Sequence, residues 1–149
     1  MRFLRRSPFQ TFLLVPLGVL LWEWALGTLH FQPAGALLML WGYAQYRLVG
    51  RYRVRLGGGG PGLSGAPPER LVTTGIYAWM RNPMYLGHIL YMIGVAILFQ
   101  SWFGAVIAIA RAVWFHFRVL GDEKGLVARF GEPYVEYCKR AKRWIPALF

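Results

Sequence analysis

The sequence predicts an all-α integral membrane protein. It has about four transmembrane helices and short amphipathic helices at its C-terminal end. Three observations carry this expectation. Long apolar runs recur along the 149 residues, most of them near the ~20 residues that cross a bilayer at about 1.5 Å per residue. The chain is 56% hydrophobic and only 15% charged, against roughly 25% charged residues in an ordinary soluble domain. Its net charge is nevertheless +11, and the basic residues gather at or beyond the ends of the apolar runs, with Arg111 as the exception.

An apolar yet basic chain is either a membrane protein with a cationic face or a nucleic-acid binder. The spanning runs, and the lack of zinc-finger spacing or another nucleic-acid motif, favour the membrane and leave no nucleic-acid partner expected. The single cysteine, Cys138, excludes an intrachain disulfide and a cysteine-based metal cluster, and no metal site is expected. The length suits one domain, 1–149.

Residues 1–8 carry three arginines, and 9–29 reads as the first span. Its length, the lack of a small-residue cleavage site, and Trp22, Glu23 and Trp24 near its end mark a retained helix rather than a signal peptide. Pro33 opens a second span, 33–49, closing in the interfacial residues Tyr43, Tyr46 and Arg47. Residues 50–83 read as a cytosolic loop, Gly/Pro-rich and flexible around Gly57 to Gly65. Its four-glycine run has no strand before it and no Gly-Lys-Ser/Thr after it, so it reads as a linker rather than a phosphate loop. The third and fourth spans, 84–100 and 102–120, form a hairpin turning at Ser101. Gly87 and Gly94 lie seven apart on one face, where a helix or a ligand can approach closely. In the cytosolic cap, 121–149, Gly121, Gly131 and Pro133 are turn signals. Leu126, Phe130, Tyr134 and Tyr137 fall at near-helical spacing, which predicts two short helices on the membrane surface.

Orientation follows from the 17 lysines and arginines. None lies in the short loops near 29–33 or near 101. The positive-inside rule therefore predicts a multi-pass protein with both termini, the long loop and the cap in the cytoplasm. The turn at Leu71–Pro83 and the cap then share a side and can meet.

That turn holds the densest chemistry. Pro83 suits the first turn of a helix and Asn82 its N-cap. The planar guanidinium of Arg81 can grip a carboxylate or phosphate, or it can merely snorkel as an interfacial anchor. Thr73, Thr74, Gly75 and Tyr77 add small or hydrogen-bonding groups. His88 and His116 read as proton acceptors or as packing residues. Glu23 and Arg111 fall inside spans, where an ionised group is usually paired or functional. They are expected to pair with one another, or else Arg111 faces the polar head of an acceptor.

TGIYAWMRNPMYLG, starting at Thr74, resembles the G-x-Y-x-x-x-R-H/N-P-x-Y-x-G signature of the isoprenylcysteine carboxyl methyltransferase family, to which the phospholipid methyltransferases are related. DEKGLVARFGEPYVEYCKRAKRWIP, starting at Asp122, resembles the same family's E-E-x-x-L-x-x-x-F-G-x-x-Y-x-x-Y…R-W-x-P segment. Gly75, Tyr77, Arg81, Pro83, Tyr85 and Gly87 match the first. Glu123, Leu126, Phe130, Gly131, Tyr134, Tyr137, Trp144 and Pro146 match the second. Asn82 stands where the eukaryotic type has histidine, Asp122 replaces a glutamate, and Lys124 stands where relatives often have proline.

The resemblance implies a small membrane methyltransferase that uses S-adenosyl-L-methionine without a Rossmann domain. The cofactor would enter from the cytosol and a lipophilic acceptor (an isoprenoid carboxylate, a thiol or a lipid amine) from the bilayer. Arg81 and Glu123 are the implied catalytic pair. Thr74, Gly75, Tyr77, Arg81, Asn82, Tyr85, Gly87, Asp122 and Glu123 are the implied cofactor contacts. Two other functions fit the same composition: a nicotinamide-dependent membrane reductase of sterol-reductase-like architecture, and a non-enzymatic scaffold whose basic face binds anionic lipid. The oligomeric state is left open.

Overall fold

The computed structural model describes residues 7–60 and 66–144. Arg2, Arg5, Arg6, the Gly65 end of the glycine loop, and Pro146 of the second motif lie outside them. The described residues form five helices and contain no strand. Helix α1 runs Ser7–Leu26, with a π-helical stretch at Gln10–Leu14. Helix α2 is Ala34–Gly57, α3 is Pro83–Leu98, α4 is Trp102–Phe130 and α5 is Glu132–Arg140. A 3-10 turn, Gly75–Ala78, precedes α3.

Local chemistry sets the ends. Helix α1 stops at Gly27, whose φ of 66° suits a residue without a Cβ. Its N–H donates to the Trp24 carbonyl and that of Thr28 to the Glu23 carbonyl, which satisfies carbonyls that the helix leaves unpaired. The α3–α4 turn closes the same way. The Gln100 N–H donates to the Ile97 carbonyl and the Ser101 N–H to that of Ala96. Ser101 then caps α4, its hydroxyl accepting from the Gly104 N–H at 2.9 Å, as an N-cap serine should.

Helix α3 is central, with Met84, Tyr85, His88, Tyr91, Met92 and Val95 all buried. It packs on α2, α4 and α1. Against α2 the two backbones nearly touch. A Cβ on Gly42 would stand 2.5 Å from the Tyr91 nitrogen and 2.6 Å from the Gly87 oxygen. Gly35 meets Gly94 and Leu98 in the same way one heptad on. Against α4 the core is Tyr85, Met92, Ala108, Phe115 and Val119. The outer surface stays apolar, with Trp24, Leu37, Trp41, Trp102 and Phe117 exposed, an exterior that suits a bilayer rather than water.

Two helices, Ser7–Leu26 and Trp102–Phe130, are long and apolar enough to cross a membrane; the other two expected spans, 33–49 and 84–100, fall on α2 and α3. Helix α3 is apolar but short, and α2 dilutes its apolar first half with an arginine-rich second half. Helix α2 continues to Gly57, so the loop expected from residue 50 starts later. Helix α4 continues unbroken through Gly121 and Gly125 to Phe130. The cap therefore adds one separate helix among the described residues, not two. An isolated glycine slows a helix by only about 1 kcal/mol relative to alanine, too little to end it once its neighbours pack.

The expected Glu23–Arg111 pair does not form. The Glu23 carboxylate accepts from the hydroxyls of Ser101 at 2.5 Å and Thr28 at 2.6 Å. Arg111 instead reaches Gln10 and Ser7.

Candidate active site

The two motif segments meet through their backbones. Met80 and Lys142 form an isolated parallel bridge: the Arg81 N–H donates to the Lys142 carbonyl at 2.7 Å, and the Lys142 N–H to that of Trp79 at 3.1 Å. Side chains fasten the same seam. The Tyr137 hydroxyl donates to the Tyr77 carbonyl at 2.7 Å. Arg81 Nη1 donates to the Cys138 carbonyl at 3.1 Å, and Asn82 Nδ2 to the Arg143 carbonyl at 3.2 Å. Asn82 does occupy the N-cap position of α3, but its side chain caps nothing, because the cap segment holds it.

Glu123, on α4, lies between two arginines. Arg143 grips it with Nε 3.2 Å from both carboxylate oxygens and Nη2 2.9 Å from Oε2. Arg81 Nε lies 3.2 Å from Oε1, without a hydrogen-bond alignment. The Arg81 and Glu123 side chains are only 10% and 13% exposed, so their attraction is screened less than a surface pair's. One carboxylate between two guanidiniums leaves the cluster net positive. Beside it, the Tyr85 hydroxyl donates to Asp122 Oδ2 and accepts from Arg118 Nε at 2.9 Å.

These groups border a cavity of about 500 Å³, within the usual size for small-molecule and cofactor sites. The turn supplies Tyr77, Arg81 and Asn82; α3 supplies Met84 and Tyr85. Arg118, Asp122 and Leu126 come from α4, and Tyr134 and Tyr137 from α5. Leu71, Val72, Arg53 and Ala66–Pro68 close the far wall. Burial raises the Tyr77, Tyr134 and Tyr137 phenols well above the usual range, so all three remain neutral at ordinary pH. The Glu123 carboxylate raises the Arg143 guanidinium further. The site thus offers permanent cations, neutral hydroxyls and apolar walls.

The phospholipid methyltransferase model matches residues 34–132, from the start of α2 through α4. The chain belongs to the phospholipid methyltransferase family. It is also similar to curated proteins named protein-S-isoprenylcysteine O-methyltransferase. The human protein is 38% identical over 80 residues, 52% of this chain and 28% of that protein. The fission yeast protein, from Schizosaccharomyces pombe, is 34% identical and matched over 34% of its length. The B form of Arabidopsis thaliana is 37% identical and matched over 40%. The match thus spans 52% of this chain and well under half of each of these relatives.

In this phospholipid methyltransferase family member the expected site residues part into two groups. Tyr77, Arg81, Asn82, Tyr85 and Asp122 line the cavity, and Glu123 sits beside it in the arginine cluster. Thr74 and Gly75 are exposed at the start of the 3-10 turn. The Thr74 hydroxyl pairs with that of Tyr52 at 2.8 Å. Gly87 lies apart from the cavity's residues: it is buried against the α2 backbone, where a Cβ would meet the Gly42 oxygen at 2.8 Å. His88 is fully buried with no hydrogen-bond partner among the described residues, packed on Phe12, Tyr46 and Phe115. His116 stacks on Trp144. Arg143 was missed as a site residue. Its signal was the arginine of the R-W-x-P segment, which was not carried over with Trp144 and Pro146. Arg118 was missed because it entered only the count of basic residues that sets the orientation.

Proposed function

We propose that the protein transfers a methyl group from S-adenosyl-L-methionine to a lipophilic acceptor at the cytosolic membrane face. The observation that carries this reading is the convergence of Arg81 and Asp122 from separate motifs onto one cavity, with Glu123 paired to Arg81 beside it and the two segments joined by a backbone bridge. The names of the relatives support methyl transfer to an isoprenylcysteine carboxylate as one acceptor chemistry; a thiol and a lipid amine are the others. Four helices crossing the bilayer, with both termini cytoplasmic, complete the proposal.

The residues present fit such a cofactor. Its carboxylate suits the net-positive Arg81–Glu123–Arg143 cluster, its ammonium and ribose hydroxyls suit Asp122 and the tyrosine hydroxyls, and its adenine suits Leu71, Val72 and Leu126. When bound it supplies an electrophilic methyl on a sulfonium, so the protein need form no covalent intermediate. The chain's own task is to orient two reactants and exclude water. Arg81, fixed by the Cys138 carbonyl and Glu123, holds an anionic group in one orientation. Tyr134 and Tyr137, buried on α5, shield the floor.

Calorimetry on the purified protein tests this reading, with S-adenosylhomocysteine and, in parallel, NADPH. Micromolar binding of the former, lost in Arg81→Ala and Glu123→Ala, supports methyl transfer. Binding of NADPH alone would replace it with the reductase reading, and binding of neither by a folded protein with the scaffold.

A further inference from the structure

Two phenols bordering the cavity donate to acceptors of different kinds. Tyr137 donates to the Tyr77 backbone carbonyl, an amide oxygen that accepts a hydrogen bond but does not take up the proton. Tyr85 donates to Asp122 Oδ2 at 2.5 Å, a carboxylate that can take it up. Arg118 Nε donates to the Tyr85 oxygen at 2.9 Å and lies 3.9 Å from the same Asp122 oxygen. A hydroxyl oxygen carries two lone pairs. Arg118 uses one, which leaves the other for a donor in the cavity that Tyr85, Arg118 and Asp122 all line.

The groups are ordered from the interior outward. Tyr85 is buried, its ring set edge-on against Phe115 at 5.0 Å within the α3–α4 core. The Asp122 side chain is 48% exposed, so a proton that reaches it can pass to water. Arg118 remains a cation and donates to the phenolic oxygen, where negative charge would develop during proton transfer. The neighbouring carboxylate is placed differently. Both Glu123 oxygens are held by Arg143, with Arg81 beside one of them, which suits Glu123 to fix charge rather than to move protons. The contact with Tyr85 uses Asp122 Oδ2, so Oδ1 can still face the hydroxyls of a cofactor.

We propose that Tyr85 is a catalytic residue that relays a proton from the methyl acceptor to Asp122, with Asp122 and Arg118 acting through it. The proposal rests on the methyl-transfer reading. Methylation of a carboxylate releases no proton, whereas methylation of a thiol or an amine releases one. A lone pair of the acceptor sulfur or nitrogen forms the new bond to carbon, and the pair of the broken carbon–sulfonium bond stays on the departing thioether. The pair of the acceptor's S–H or N–H bond stays on the acceptor as its proton leaves. The Tyr85 oxygen takes that proton while its own passes to Asp122 Oδ2, and Asp122 gives it up to water. A relay of this kind has no use in carboxylate methylation, so it selects a thiol or an amine as the acceptor chemistry. It also uses the position at which an aspartate replaces the glutamate of the motif.

The test uses the full chain in a neutral detergent and three acceptors that share one chain: dodecanethiol, dodecylamine and dodecanoate. Each is supplied with S-adenosyl-L-methionine, and methylated product is counted by mass spectrometry. Calorimetry with S-adenosylhomocysteine reports the state of the site in every variant. The native protein should methylate the thiol or the amine, and which of them it takes identifies the acceptor. Tyr85→Phe should lower kcat for that acceptor about 100-fold or more, the usual worth of a positioned proton acceptor, with KM and S-adenosylhomocysteine affinity held within several-fold. Asp122→Asn should do the same, and Asp122→Glu should restore most of the rate. Any transfer to dodecanoate should fall far less in Tyr85→Phe than transfer to the proton-bearing acceptor. No transfer to thiol or amine by a protein that binds S-adenosylhomocysteine would overturn the relay and leave the methyl-transfer reading standing. Equal loss for every acceptor in Tyr85→Phe, or a rate in Asp122→Asn equal to the native one, would also overturn it. Failure of the native protein to bind S-adenosylhomocysteine would remove the methyl-transfer reading itself, and the relay with it. If Tyr85→Phe does not fold, Asp122→Asn and Asp122→Glu decide by the same criteria.

Discussion

Arg143 is the residue on which the arginine cluster turns. It is 33% exposed, yet it approaches both oxygens of a carboxylate that is only 13% exposed. A hydrogen bond to a charged group is worth about 1.5–3 kcal/mol, less where water screens it. Arg143→Ala should therefore cost about 1–2 kcal/mol in thermal unfolding. Arg143→Lys should recover less than half, because an ammonium cannot present a two-point fork. A lysine variant as stable as the native protein would show that charge alone matters. Gln100 gives the opposite sign. It holds φ at 48° in the α3–α4 turn, a left-handed conformation that costs a residue with a Cβ about 1–2 kcal/mol. Gln100→Gly should raise stability by about 0.5–1 kcal/mol, and a lower melting temperature would refute this.

At the scale of elements, the α2–α3 pair has the least room. Gly42→Ala drives a methyl into the α3 backbone at 2.5 Å, and backbone cannot step aside as a side chain can. Overpacking of this kind costs about 1–3 kcal/mol. Gly18→Ala in α1 meets nothing within 4 Å and should instead gain about 0.5–1 kcal/mol. Equal effects on the melting temperature would mean the helices separate freely. The seven-residue spacing of Gly87 and Gly94 was legible as a close approach. Which surface approached was not, because the partner glycines, Gly35 and Gly42, lie on a helix whose spacing to α3 depends on an intervening loop.

Helix α5 is tied down by a phenol, and pH reads that tie. Burial raises the Tyr137 phenol, and likewise that of Tyr77. The fold thus favours the neutral form over the unfolded chain, whose phenols titrate at about 10. This stabilisation is fully present below that value and is lost as pH rises from it toward the higher folded value. Melting temperature should fall between about pH 9 and 11, and Tyr137→Phe, which has no phenol to titrate, should flatten the slope. An unchanged slope would place the sensitivity elsewhere. The sequence marked Tyr134 and Tyr137 as amphipathic packing, and both are buried. What it could not show was that the Tyr137 hydroxyl ends on the Tyr77 carbonyl, a contact across 60 positions. Such a contact exists only once Gly131, with φ of 60°, has turned α5 back toward the site.

The whole molecule divides into a helical bundle and a cap docked on its polar end. The bundle is held by apolar packing along α3, the cap by a smaller cluster of Tyr134, Tyr137 and Ala141 with Leu71 and Leu126, and by polar contacts to the turn and to Glu123. Local stability follows such differences, since segments with few buried apolar contacts open at lower free energy than the global unfolding. The Arg81 and Lys142 amides donate across the seam, and both should become exchangeable in the same event when the cap lifts. Hydrogen exchange of the detergent-solubilised protein should therefore show peptides around 79–82 and 134–143 exchanging together, ahead of the core of α2 and α3. Arg143→Ala should speed both seam peptides while leaving Tyr91–Val95 unchanged, since it loosens the cap and its contact in the bundle is Glu123 on α4, not α3. A ligand that occupies the cavity contacts both sides of the seam, and should slow the same two peptides in concert. Seam peptides that exchange independently, or only with the bundle, would show that the cap is not a unit. The convergence of the two motifs would then hold the chain together without forming an opening through which a cofactor enters.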